Sequence, residues 1–185
     1  MKTLIVYGTR YGATTVTSEE IAKMLCEEGF DVRVANAKSE KIKDISEYEL
    51  VIVGSGIKMG KWTGEADDFL KKFRKELEQK KLAIFVSTMK TVPEREGKTD
   101  NVAEIRKVAL EDKVTQYNLH PIALGFFGGA LDFKKIGFFF RRTMGFLRPQ
   151  LRKDGFKETQ PDLYDLRDWD EIRNWAKEIA RKARE

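Results

Sequence analysis

Directly after the apolar run Thr3–Tyr7 the chain reads Gly8-Thr9-Arg10-Tyr11-Gly12-Ala13-Thr14-Thr15. Three hydroxyl side chains and the backbone N–H groups of a helix start make an anion site suited to a phosphate, and Gly12 supplies the tight turn around it. The common nucleotide motifs do not fit. A Walker A loop needs G-x-x-x-x-G-K-[ST], but Gly97-Lys98-Thr99 has Val92 where the upstream glycine belongs. A dinucleotide fingerprint needs three glycines after the first strand and an acid closing the second; here the loop holds Gly8 and Gly12, and the second strand ends in Ala35-Asn36. ATP and NAD are poor candidates, whereas a small phosphomonoester cofactor held by hydroxyls, with no cation required, fits better. A plainer reading makes Thr14 or Thr15 the N-cap of the first helix, which is compatible with phosphate binding. Metal chemistry is nearly excluded, because one cysteine, Cys26, and one histidine, His120, cannot build a cysteine cage or a multi-histidine site. Cys26 sits near the apolar face of the first helix and His120 at the base of the fifth strand, so both read as structural.

The elements that position this loop follow from hydrophobic periodicity. Strands are expected at Thr3–Tyr7, Asp31–Ala35, Leu50–Val53, Leu82–Ser87 and Ile122–Phe127. The alternation in the second suggests a sheet edge, and the continuous run in the third suggests burial on both faces. Helices fall between them: about 15–27, with Ile21, Met24 and Leu25 on one face and Gly29 as its stop; 65–79, with Ala66, Phe69, Leu70, Phe73 and Leu77 in register; near 102–110; and 169–184, with Ile172, Trp175, Ala176 and Ile179 inward. Alternating strands and helices imply a parallel sheet covered on both faces, with ligands bound beyond the carboxyl ends of the strands at the topological switch point. A length of 185 residues suits a single domain, 1–185, and 41% hydrophobic with 35% charged residues is ordinary for a soluble protein. No run approaches the roughly 20 apolar residues of a membrane span, and Leu4–Tyr7 after Lys2 is too short for a signal-peptide core, so a cytoplasmic location is expected.

Net charge is +5 but unevenly spread. Lys134–Lys153 holds seven basic residues and no acid, and without those seven the chain has 28 basic against 30 acidic residues. Partner arguments therefore belong to this insert, about 132–168. On a helical wheel at ~100° per residue, Ile136, Phe139, Phe140, Thr143, Met144, Phe146 and Leu147 share one face, with Lys134, Lys135, Arg141, Arg142 and Arg148 opposite. Such a helix docks on a membrane surface or a partner, or packs on its own domain with solvated arginines. Nucleic acid is not expected, because one short basic helix is no recognised binding fold.

Thr9, Gly12 and Thr14 as they stand resemble the first loop of the flavodoxin-like family, which cradles the phosphate of FMN. Similarity to its menaquinone-dependent protoporphyrinogen oxidase branch extends to Lys2-Thr3-Leu4-Ile5, Thr9-Arg10, Gly54-Ser55-Gly56-Ile57-Lys58-Met59-Gly60, Gly129-Ala130-Leu131 and the Asp168-Trp169 helix start. The resemblance implies an α/β flavodoxin-like fold: a doubly wound five-stranded parallel sheet of order 2-1-3-4-5, helices on both faces, and a basic helical insert after strand 5. It implies one noncovalent FMN, with Thr9, Arg10, Tyr11, Gly12, Ala13 and Thr14 around the phosphate. Ser55, Gly56, Ile57, Lys58, Met59 and Gly60 after the third strand, and Ser87, Thr88, Met89 and Lys90 after the fourth, would hold the ring. Gly56 and Gly60 serve there either for close approach to the ring or as ordinary turn glycines.

No side chain stands out as a catalytic acid or base. No aromatic lies between Ser87 and Glu96, where flavodoxins present a stacking tyrosine, so one ring face would be open to substrate; Trp62 either stacks on the ring or packs on the following helix. Lys58, Lys61 and Lys90 in the ring loops would favour an anionic reduced flavin and a higher two-electron potential. Together with the resemblance, these expectations favour a two-electron oxidoreductase that acts on a porphyrinogen-like or other small molecule and delivers electrons to a quinone or other acceptor, and the resemblance tips Lys134–Lys153 towards a peripheral contact with the inner face of the membrane. The alternative is a flavodoxin-type carrier that exchanges electrons with a redox protein partner.

Overall fold

Three strands carry apolar, β-branched runs that are buried on both faces: β1 (Lys2–Gly8), β3 (Leu50–Gly56) and β4 (Lys81–Thr88). Such runs need covering layers above and below, which is the condition of a parallel sheet inside an α/β protein. The computed structural model, which describes residues 1–135, 145, 147–156 and 158–185, places β1, β3 and β4 at the centre of a five-stranded parallel sheet. Its order is β2-β1-β3-β4-β5, with β2 (Asp31–Asn36) and β5 (Ala123–Gly128) at the edges. The half-exposed alternation of β2 is that of an edge strand. Register sets the carboxyl ends level, since Gly8 pairs with Ser55, Gly56 with Ser87 and Thr88 with Gly128. The loops that follow these strands therefore emerge side by side.

One face of the sheet is covered by α1 (Ala13–Glu27) and α8 (Trp169–Arg184), which bury Ile21, Leu25, Ile172, Trp175 and Ile179 against Ile5, Ile52 and Phe85. The other face carries α2 (Gly64–Lys72) and α3 (Arg74–Leu77), whose Ala66, Phe69, Leu70, Phe73 and Leu77 meet Val6, Val53 and Ile84. The single helix expected over 65–79 is broken at Phe73, where φ is −100° and ψ 15°, yet every residue of its apolar face is buried. The helix expected near 102–110 becomes a longer, irregular layer. After α4 (Thr91–Arg95), α5 (Thr99–Arg106) passes through a π turn at Lys107–Glu111 into α6 (Asp112–Tyr117).

Beyond β5 the structure departs from a simple helical insert. Here β6 (Ala130–Asp132), β8 (Leu163–Asp165) and β7 (Glu158–Gln160) form a small antiparallel sheet in that order, with α7 (Leu147–Lys153) beside it. Val92, Leu131, Phe133, Leu151, Phe156, Tyr164 and Leu166 make a third apolar cluster under it. Of the amphipathic helix read from sequence, Ile136, Phe139, Phe140, Arg141, Arg142, Thr143, Met144 and Phe146 lie outside the described residues. Leu147 packs on the third cluster, and Arg148, expected on the solvated side, stacks 4.5 Å over Phe133 and pairs with Asp162 at 2.6 Å. Arg152 pairs with Glu158 at 3.1 Å, so acids from outside the basic run neutralise part of it. Cys26 is exposed and not a core residue, and His120 is exposed at the amino end of β5.

Candidate functional site

The three loops at the carboxyl ends of β1, β3 and β4 enclose a cleft of about 730 Å³. The first loop contributes Thr9, Arg10, Tyr11, Ala13 and Thr14; the second Gly56, Ile57, Lys58, Met59 and Gly60; the third Ser87, Thr88 and Met89. Thirteen of the sixteen residues expected to hold a cofactor thus face one space.

Local chemistry explains the shape of each loop. In the first, Gly12 takes φ 95°, a left-handed conformation natural to glycine, and its N–H donates to Thr9 Oγ1 at 2.9 Å. Gly12 is also the residue that caps α1, so neither Thr14 nor Thr15 fills that role, and no side chain bonds the helix start. No acid occupies the first turn of α1 either. The helix therefore opens on the cleft with its positive dipole end unopposed.

The second loop ends in a two-residue hairpin. Lys58 and Lys61 exchange backbone hydrogen bonds of 3.1 and 3.0 Å, and Met59 and Gly60 between them take φ 51° and 73°. Two positive φ values match a type I′ turn, whose twist suits a tight hairpin. A left-handed methionine costs about 1 kcal/mol, and this one leaves 82% of its surface exposed at the mouth of the cleft. Arg10 ties the second loop to the first: its guanidinium donates to the carbonyls of Gly56 at 2.8 Å, Trp62 at 2.6 Å and Lys61 at 3.4 Å. Lys58 makes a reciprocal tie, with Nζ 2.8 Å from the Tyr11 hydroxyl.

The remaining expected residues support the cleft from behind. Ser55 is fully buried, and its hydroxyl accepts the Thr63 N–H at 3.0 Å, which pins the return of the second loop. Lys90 turns to α8, where its ammonium meets Glu171 at 2.8 Å and Glu94 at 3.6 Å. The charge expected from Lys90 beside the ring is thus neutralised, and Lys61 lines a smaller cavity of about 360 Å³ next door, leaving Lys58 as the lysine of these loops in the cleft wall. Trp62 packs in the core and donates its indole N–H to Ala109 O at 2.7 Å in the π turn, which excludes the stacking role. Behind that turn, burial pushes the Tyr117 phenol up, assisted by the carboxylate of Asp67 3.1 Å away.

Sequence reading missed the far wall. Asn101, Glu104, Ile105 and Val108 face the cleft from α5 and the π turn, and Gly129, Ala130 and Leu131 close it from the start of β6. Ile105 and Val108 are apolar yet exposed, while Ala109 and Leu110 are buried. A helix with apolar residues on two faces was the available signal. Among the described residues that line the cleft, Tyr11 is the only aromatic.

The atoms of the cleft suit a flavin phosphate. Ser87, a residue of the cleft wall, keeps a buried hydroxyl without a hydrogen-bond partner among the described residues, so a donor or acceptor brought into the cleft could satisfy it. A Cβ on Gly56 would stand 3.1 Å from Thr14 Oγ1, so the bare glycine keeps the first and second loops close. An uncapped helix start with nearby hydroxyls suits a phosphate, and the largely apolar far wall suits a ring system.

Comparison with known proteins points the same way. A family profile of the flavodoxin domain matches residues 4–158. Protoporphyrinogen IX dehydrogenase [quinone] of Escherichia coli K12 is 25% identical over 181 residues, 97% of this chain and 95% of its own length. The protein of the same name from Leishmania major is 25% identical over 97% of this chain and 74% of its own. Among solved structures, an archaeal flavodoxin superposes with a TM-score of 0.59 at 17% identity, covering 100% of both chains. Oxidised Flavodoxin 2 of Bacillus cereus superposes at 0.58 and 18% identity over 98% of this chain and 99% of its own. These structural likenesses establish the fold. No helix among the described residues is long and apolar enough to cross a membrane.

Proposed function

Because the chain belongs to the flavodoxin domain family, we propose that it binds one FMN noncovalently in this cleft, as a single domain, and acts as a two-electron oxidoreductase. Its substrate in this reading is a porphyrinogen-like small molecule, and a quinone takes the electrons. The observation that carries the reading is the composition of the cleft wall. Its one described aromatic, Tyr11, belongs to the phosphate loop and is tied to Lys58, and the loop after β4 offers Ser87, Thr88 and Met89 instead of a stacking ring. A flavin held there keeps one face for a second molecule, which a carrier between proteins does not need. Full-length similarity to a protein named protoporphyrinogen IX dehydrogenase [quinone] supports the substrate class.

When bound, the flavin supplies the electron chemistry. The chain's own residues do the rest. Thr9, Thr14 and the backbone N–H groups of the helix start hold the phosphate, with no acid in the first turn of α1 to repel it. Ser87 Oγ gives its unused hydrogen bond to the cofactor. Gly56 and Gly60 let the backbone of the second loop come close, and Arg10 fixes that loop so that its carbonyls and N–H groups keep their places. Lys58 puts a positive charge at the wall, which favours negative charge arriving there on reduction. Ile105, Val108 and Met59 offer exposed apolar surface on the other side, which a bound ring would cover.

The test is an anaerobic reductive titration of the FMN-loaded protein, followed by turnover with a porphyrinogen and a quinone. Reduction in one two-electron step and saturable, quinone-dependent turnover are expected. Two widely separated one-electron steps without turnover would make the protein a carrier. Failure to retain FMN would end the flavin reading altogether.

A further inference from the structure

A cation reaches the phosphate loop from the far end of the chain, where sequence reading expected none. Lys135 follows β6 in a turn held by Asp132, whose Oδ1 accepts the N–H of Lys134 at 3.0 Å and that of Lys135 at 3.4 Å. From this turn the Lys135 ammonium donates to Tyr11 O at 3.3 Å, across 124 residues of sequence. It also stands 3.5 Å from the place a Cβ on Gly12 would occupy, so it lies on the residue that turns the loop and caps α1. Its other partner is Asp132 Oδ2 at 3.5 Å. An ammonium has three donors, and these contacts engage two of them.

The other cations of the loop are committed elsewhere. Arg10 spends its guanidinium on the carbonyls of Gly56, Lys61 and Trp62, and Lys58 bonds the Tyr11 hydroxyl. Arg167, which touches Ala13 O at 3.4 Å, is clasped by Asp165 at 2.7 and 2.9 Å. Lys135 is held more loosely. Its ion-pair partner is 3.5 Å away, and 59% of its side chain is exposed, so a small rotation brings the ammonium onto a bound anion. A phosphomonoester carries close to two negative charges at neutral pH and accepts short, charge-assisted hydrogen bonds from lysine.

We infer that Lys135 is a ligand of the cofactor phosphate, so that the segment after β5 supplies a cation to an anion site built mainly from hydroxyls and backbone N–H groups. This rests on the proposal that the cleft takes FMN. It makes Asp132–Lys135 part of the cofactor site and gives FMN affinity a dependence on salt. It also distinguishes FMN from riboflavin, which has the same ring and no phosphate.

The experiment measures dissociation constants for FMN and riboflavin, by quenching of flavin fluorescence, in the unaltered protein and in Lys135→Gln and Lys135→Arg, at low and high salt. Circular dichroism confirms that each variant is folded. The glutamine variant is expected to bind FMN about tenfold more weakly, the worth of one partly screened charge-assisted bond. Riboflavin affinity should stay unchanged, arginine should restore most of the loss, and added salt should narrow the gap. Equal losses for both flavins would overturn the proposal and assign Lys135 to shaping the loop through Tyr11 O. Unchanged FMN affinity would overturn it too, leaving the ammonium with Asp132. Both results differ from failure of the underlying reading, in which the unaltered protein binds no FMN or binds it no better than riboflavin.

Discussion

Two helices of similar length lie side by side on one face of the sheet and begin in opposite ways. α8 starts at Asp168, whose carboxylate accepts the N–H groups of Asp170 and Glu171 at 3.0 Å each; those two acids sit in its first turn, and Arg181, Lys182 and Arg184 in its last. Every feature opposes the helix dipole, so this element is complete without a ligand. α1 starts at Gly12 with no side-chain cap, no acid in the first turn and no base in the last. The difference is one of employment. A helix that only holds the fold satisfies its own end, and a helix that faces the cleft leaves its N–H groups for something that arrives from solution.

The largest test makes α1 resemble α8. Thr15, half-buried in the first turn of α1, replaced by aspartate should steady the helix of the cofactor-free protein by about 0.5 kcal/mol. The same carboxylate in the first turn would repel the phosphate dianion, and at high dielectric that repulsion of about 1–2 kcal/mol weakens FMN binding roughly ten- to thirtyfold. Riboflavin should bind as before, so the ratio of the two affinities reads the effect. The reverse test removes the cap of α8. Asp168→Ala leaves two N–H groups unsatisfied and should lower unfolding stability by about 1 kcal/mol, read from denaturant midpoints, with no change in the FMN-to-riboflavin ratio. If that ratio moved, the two helix ends would not be as separate as their geometry indicates.

How much of this was legible beforehand also divides along the same line. The edge position of β2, the inward face of α8 and the turn of the first loop follow from local pattern, because each is set by neighbours a few residues away, whereas the strand order came with the resemblance to flavodoxin-like proteins. The cleft wall from Asn101 to Val108 was not legible: α5 runs through a π turn at Lys107–Glu111 that no turn residue announces, and Ile105 and Val108 on either side of its start line the cleft. Lys90 was misplaced for a different reason. Its partner Glu171 is 81 residues away, and nothing in the sequence of the β4 loop shows that a helix start will approach with an acid on it. The same holds for the basic segment, where Arg148 and Arg152 find Asp162 and Glu158 only once β7 and β8 are folded beside α7. Cys26 shows the limit of the wheel itself, since one step around α1 from buried Leu25 is enough to expose it. Broad architecture is carried by periodicity, whereas charge placement depends on contacts that close late in the chain.

Proton concentration gives a milder test of the uncapped end. The second ionisation of a phosphomonoester lies near pH ~6, and an unopposed helix start with a nearby ammonium prefers the dianion. FMN affinity should therefore fall a few-fold as pH drops from about 7.5 to about 5.5, with riboflavin flat over the same range. A flat FMN curve would mean that the loop does not sense phosphate charge.

The smallest effect concerns a side-chain link that joins the two helices midway along α1. Arg173 of α8 donates to Glu20 of α1 at 2.5 Å, and that carboxylate raises the arginine above its ordinary value. The pair sits on the solvent side, two turns beyond the start of α1, where long side chains gain little from pairing and salt screens what they gain. Glu20→Gln should shift the thermal midpoint only slightly, and the shift should vanish in high salt. FMN affinity should not respond, because the dipole at a helix start is a property of its first turn. A change in FMN affinity in this variant would show that α8 steers the phosphate loop through Arg173, and the contrast between a finished and an open helix end would have to give way to a coupled pair.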